Sequence, residues 1–238
     1  MTWSDFTSTV LAFLNRASAD IPTIGSTTLL VTSANFAKLE AQRRHSFKMA
    51  RSVAFASPTI DGVSLSTLCT DPNASPVVSV SLKRLEQMWQ YTTVANGVTN
   101  YYRRTMRIPA MTLGDLKGEY PSTVGFDPRI PPVNIQPTMT QEWYIQGTSL
   151  YLIGATTAQP VMCDIVQWLP PYDGTTTDFF LTYHADWLVY ATLEHMNQFL
   201  KEDQRVPIDE KLMERKWKSV ITFDENFAED NFEAGGNN

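Results

Sequence analysis

The chain has 238 residues, 43% hydrophobic and 18% charged, with 19 basic against 25 acidic side chains for a formal charge of −6. That length supports one or two domains with a real core, and that composition rules out a disordered chain. The acidic balance argues against a protein that wraps nucleic acid through bulk positive charge. The start, Met1 to Phe6, has no basic region followed by an apolar stretch, so no secretory leader is expected. No run reaches the roughly 18 apolar residues of a membrane helix, so no membrane partner is expected. Cys69 and Cys163 lie far apart without metal or redox spacing and read as reduced structural thiols of a protein made in the cytosol.

In chain order, Trp3, Phe6, Val10, Phe13, Leu14 and Ala17 recur at steps of three and four. The spacing predicts a helix capped by Ser4 and ended at Asp20-Ile21-Pro22. A second helix is predicted from Ser33 to about Ala50, with Phe36, Leu39 and Phe47 on one side and Lys38, Arg43, Arg44, Lys48 and Arg51 elsewhere. Short strands between turns follow, at Val53-Ala54-Phe55 and Val77 to Val80. Leu82 to Tyr91 fits helix or strand. Residues 92–140 are rich in Gly and Pro and read as a long irregular arm or interaction loop, with a short helix over Met111 to Glu119.

Strand signals return at Trp143 to Ile145, Leu150 to Ile153 and Val161 to Leu169. Gly147 suits the left-handed position of a hairpin between the first two, so an antiparallel β-rich unit is predicted. Asp178 or Thr182 can cap a helix running to about Glu202 that is apolar most of the way round. Trp187 and Tyr190 add a third apolar face to it, more than the few helices of its own chain would cover. Val206-Pro207 opens a last helix in which Leu212, Met213, Trp217, Val220 and Ile221 share a face.

The reading is therefore α+β: a helical bundle built from the N- and C-terminal helices, with an inserted antiparallel, barrel-like β-rich domain. The expected boundaries are 1–51 for the first part of the bundle, 52–177 for the insert, 178–230 for the second part and 231–238 for a tail.

Catalytic constellations are not visible. His184 and His195 are eleven residues apart, too far for one metal, and there is no phosphate-cradling glycine loop, metal motif or nucleophile elbow. No catalytic residue, cofactor or metal is expected. Two charge features stand out. Between positions 38 and 51 five basic residues face Glu40 alone, and between 223 and 238 five acids occur without a cation. Each reads either as a solvated face or as one half of a contact across subunits. Phe223, Phe227 and Phe232 lie among those acids at spacings suited to anchoring in a partner's groove. Candidate partner-binding residues are thus Trp187, Tyr190, Phe223, Phe227, Phe232, Arg43, Arg44 and Lys48.

Three stretches resemble the head–tail adaptor (connector) proteins of tailed bacteriophages, the ring beneath the portal. They are Tyr144-Ile145-Gln146-Gly147-Thr148-Ser149-Leu150-Tyr151-Leu152, then Ile165 to Pro170 with the Thr175-Thr176-Thr177-Asp178 linker, then Leu181 to Leu193 running into Phe199 to Arg205. His184 stands where that family's helix start has proline, and the 92–140 segment departs further. The resemblance implies a non-enzymatic virion protein, a dodecameric homo-oligomeric ring that joins the portal protein to a downstream tail or nozzle protein. DNA would pass through its channel without specific binding. It also implies location in the neck of the virion, after assembly in the host cytoplasm. Rival readings are a stopper or tail-terminator subunit, and a hydrolase or nucleotide-modifying enzyme with a dispersed site.

Overall fold

In a computed structural model the chain is a mixed α+β protein with five α-helices and antiparallel sheets among its described residues. The structure describes all residues except 59–61, 73–77, 97–98, 111–141, 154–157, 202–203 and 234–238. For 95–96, 99–101, 153 and 227–233 it describes the backbone alone. The chain divides into two compact units, one of Met1–Met49 with Leu169–Asn238 and one of Ala50–Trp168. Residues 169–177, assigned to the insert from sequence, therefore belong with the helices.

The helical unit starts with α1 (Trp3–Leu14), capped by Thr2 rather than Ser4. Asp5, three residues on, returns a bond to the Thr2 backbone N–H at 3.2 Å, completing a reciprocal box that Ser4 could not form. Asn15 closes the helix in the left-handed conformation, and Phe6, Val10 and Leu14 are the buried stripe. A two-stranded ribbon, β1 (Thr23–Ile24) and β2 (Thr27–Thr28), leads into α2 (Leu29–Arg44). The predicted stripe of α2 is displaced. Leu30, Ser33, Ala34, Ala37, Lys38 and Ala41 are buried, whereas Phe36 is 55% exposed. Phe47 is fully buried but lies beyond the helix end, where it meets Phe180 edge-on at 5.1 Å.

The predicted helix over 178–202 is broken at His184 into α3 (Phe179–Tyr183) and α4 (Ala185–Leu200). Asp178 is the cap that forms, accepting from the Leu181 N–H at 3.1 Å. The last helix, α5 (Val206–Glu233), buries Met213, Val220 and Asp224. α4 packs against α1, α2, α3 and α5. Trp187, Leu188, Val189, Ala191, Thr192, Leu193, Met196 and Asn197 are all buried within the single chain. Four neighbouring helices of the same chain cover its inner faces, while Tyr183 just before it and Phe199 near its end stay 52% and 54% exposed.

What returns the chain to α2 after the insert is polar. Gln42 accepts the Leu169 N–H at 2.5 Å, and Lys38 donates to the Pro170 carbonyl at 2.6 Å. Asn35 accepts the Tyr172 N–H at 2.6 Å and donates to its carbonyl at 3.1 Å. Lys38 also pairs with Asp178 at 2.6 Å and lies 4.2 Å from the centre of the Tyr172 ring. The Tyr172 hydroxyl donates to the other Asp178 oxygen at 2.8 Å. Lys38, read from sequence as part of a solvated basic face, is only 2% exposed, and burial lowers its pKa.

The second unit holds a four-stranded sheet of order β3 (Arg51–Ala56), β9 (Val161–Gln167), β5 (Leu82–Asn96), β6 (Thr99–Ile108). A three-stranded sheet has the order β4 (Val63–Ser64), β8 (Ser149–Ile153), β7 (Glu142–Gln146). All these strand pairs are antiparallel. Both sheets are open among the described residues, so the barrel-like expectation is not met. Instead one apolar cluster takes Ala54, Leu85, Met88, Cys163 and Ile165 from the larger sheet and Trp143, Leu150 and Leu152 from the smaller. Leu82 to Tyr91 is strand, and it continues into the segment expected to be irregular, pairing to Asn96↔Thr99 with a bulge at Gln90/Tyr91. Gly147 sits at φ +59° between β7 and β8, as the hairpin requires. The helix expected over Met111 to Glu119 lies outside the described residues.

Replacing Lys38 by Ala leaves the half-buried Asp178 without its cation and opens a gap in the α2 row, which costs about 2–3 kcal/mol. Urea unfolding followed by circular dichroism is expected to show that loss for Lys38→Ala, and a change below about 0.5 kcal/mol for the exposed Arg43→Ala.

Candidate interaction surface

The partner-binding residues singled out from sequence fall into distinct environments. Trp187 is 2% exposed, with Phe180 at 5.3 Å and Trp217 at 5.4 Å, so it is core and presents nothing to a partner. Tyr190 is half-buried against Phe13 at 6.0 Å. Phe223 packs on its own chain, 5.1 Å from Tyr183, 4.9 Å from His184 and 6.0 Å from Phe179. The side chains of Phe227 and Phe232 lie outside the described residues.

The basic segment is engaged within its own chain, in part by the start of the acidic C-terminal segment. Arg44 grips Glu214 through two bonds of 2.6 and 3.0 Å while stacking 4.6 Å over Trp217. Asp224, 1% exposed, accepts the Lys48 N–H at 3.0 Å and lies 2.8 Å from His45 Nε2. Lys48 Nζ donates to the Glu225 carbonyl. Asp224 is therefore built into the helical unit and Glu225 is tied to it through its carbonyl. Of the basic trio Arg43 and Arg44 are exposed, Arg44 while paired with Glu214, and Lys48 is half-buried. Asn197 donates to the buried Asp209 at 2.6 Å, a further tie between α4 and α5.

Among the exposed apolar side chains of the helical unit, which include Ile208 and Met1, aromatic rings stand out, and sequence reasoning missed most of them. On one side Phe36 of α2 and Phe199 of α4 are 55% and 54% exposed. His195, 6.1 Å from the Phe36 ring and one turn before Phe199, bridges them. Glu40 lies 3.5 Å from His195 Nε2. Glu194 stands beside this patch, its pKa raised to about 7 by burial and by Glu40, Glu210, Glu214 and Asp209. Burial also lowers His195, favouring the neutral ring.

The other side carries Phe13, 44% exposed, next to a shallow depression lined by Ser8, Thr9, Ala12 and Phe13 itself. Tyr190 backs it. Tyr190 and Phe199 are nine residues apart on α4, half a revolution at 3.6 residues per turn, so the two patches sit on opposite sides of that helix. Arg205 donates to the Phe13 carbonyl at 2.8 Å, and Lys216, close to Tyr190, pairs with Asp186 at 2.7 Å. The signal that would have located Phe36 outside was the Ala34, Ala37, Ala41 spacing, which marks the close-packed side of α2.

Among the described residues no group of His, Cys, Asp and Glu could hold a metal ion. No helix among them is long and apolar enough to cross a membrane. The chain matches no protein-family model and no curated protein.

Because Glu194 titrates higher in the folded chain than its ordinary 4.5, the folded state holds the extra proton between about pH 4.5 and 7. Its contribution to stability is present below that window and lost above it. Glu194→Gln is expected to equal the parent at pH 4.5 and exceed it at pH 8 by about 1 kcal/mol, the half-exposed carboxyl being screened by water. Urea midpoints at the two pH values test this.

Proposed function

We propose that the chain is a non-enzymatic structural subunit of a tailed bacteriophage, a head-to-tail adaptor whose ring joins the portal to the tail and continues the DNA channel. The observation that carries the reading is the packing of helices from the two ends of the chain, α1 and α2 with α3, α4 and α5, into one unit while Ala50–Trp168 form another. This division of the chain supports reading it as a helical bundle with an inserted β-rich domain, the arrangement that the sequence resemblance implies. An acidic chain also suits a conduit through which DNA slides without binding.

The inner faces of the apolar helix over 183–201 are enclosed by its own chain and offer nothing to a neighbouring copy. The surface for neighbouring copies is instead the exposed aromatic residues on the two sides of α4. Docking on the portal falls to the part of the C-terminus beyond Asn226, because Phe223, Asp224 and Glu225 are engaged within the helical unit.

Deleting residues 227–238 leaves Asp224 and its partners in place, so the shortened chain is expected to melt like the parent yet lose cosedimentation with the portal ring of the same virus. Unchanged cosedimentation overturns the docking role of the tail. Failure of the full chain to bind that ring, with electron microscopy placing it away from the neck, overturns the adaptor reading.

A further inference from the structure

We infer that the open edge of the larger sheet, strand β6, takes an extended acidic segment of a partner protein as an added strand. β6 is last in its sheet, with β5 on one side and no described strand on the other. Alternate N–H and C=O groups of such an edge point outward and can template another chain. Trp143 donates its N–H to the Pro109 carbonyl at 3.0 Å, but that bond lies past the last residue of the strand. Arg103, Arg104, Thr105, Met106 and Arg107 are exposed in succession, so neither face of this stretch is covered.

Charge and register together choose the occupant. In a chain of net charge −6, β6 carries three cations and no acid. Arg104 is paired with Asp164, whereas Arg103 and Arg107 have no ion pair among the described residues. Arg104 stands opposite Tyr91 and Arg107 opposite Trp89, on one side of the sheet, because the bulge leaves Thr105 without a partner between them. Arg103, opposite Thr92, falls on the other side. A nucleic acid lying on the sheet reaches the arginines of one face. A chain running beside β6 in the plane of the sheet, with acids on both of its faces, reaches all three as cross-strand pairs. A second copy's β6 would instead set arginine against arginine, which repels. Met106, 49% exposed on the side of Arg103, adds an apolar contact for one side chain of the incoming strand. This contact goes beyond the adaptor reading and is tested without a portal.

The test uses the purified full-length chain and a fluorescein-labelled synthetic peptide of Val, Thr and Glu whose glutamates fall on both faces when extended. Fluorescence anisotropy at low salt is expected to show saturable binding, and amide hydrogen exchange of residues 103–107 is expected to slow when the peptide is added. Arg103→Glu combined with Arg107→Glu is expected to weaken binding by about tenfold without changing the melting temperature. The same peptide with proline at alternate positions cannot donate to the ladder and is expected not to bind. Equal binding of the proline peptide reduces the attraction to charge and overturns strand addition. Unchanged affinity in the double variant, or no binding by the parent, overturns the site. Displacement of the peptide by a lower concentration of an oligonucleotide of equal charge overturns the peptide assignment in favour of nucleic acid.

Discussion

The helical unit depends on how α2 receives the chain when it comes back from the inserted β unit. Pro170 and Pro171 have no N–H to offer, and the extended segment Leu169 to Tyr172 has no strand beside it to bond with. Its backbone groups are met by side chains instead. Asn35, Lys38 and Gln42, at steps of three and four, form one row on α2 that serves Leu169, Pro170 and Tyr172. Lys38 is the centre of that row. Its ammonium neutralises Asp178, and Asp178 in turn holds the Tyr172 hydroxyl and the first turn of α3. A buried cation is tolerable only with such a set of partners, because desolvation would otherwise strip its charge.

This explains where sequence reading succeeds and where it fails. Helices and strands with strong periodicity, such as α1, α5 and the β7–β8 hairpin with Gly147, are legible from spacing and turn chemistry alone. α2 is not, because its buried side mixes alanines with Lys38 and Gln42, residues whose burial depends on acceptors and donors more than 120 positions away. The displaced stripe moves Phe36 from the expected inside to the outside. The break at His184 was hidden for a related reason: the apolar pattern continues on both sides of it, and only the capping by Asp178 marks a separate short helix. β5 extends past Tyr91 because its pairing with β6 and β9 is non-local, and no single strand sequence announces its partner.

The candidate surface was legible in kind but not in position. Opposite charges were visible as blocks, yet their residues are engaged within the chain: Arg44 pairs with Glu214 outside the acidic block, Asp224 accepts the Lys48 N–H, and Lys48 Nζ donates to the Glu225 carbonyl. Exposed pairs of this type contribute little each, but Asp224 is buried, and its three ligating contacts fix the segment after α2 against α5.

A helical unit that satisfies its own core and its own buried charges has little left with which to bind. Trp187 and the inner faces of α4 are used up, so association must draw on a few exposed rings and the charges around them. Contacts of that size between two copies are weak alone. Ring closure changes the arithmetic, because each copy is then held at both sides, and the second contact forms at the high effective concentration set by the first. For the proposed adaptor, a helical unit with a self-satisfied core and a few exposed apolar side chains would suit assembly on a preformed template, where its neighbours are already positioned.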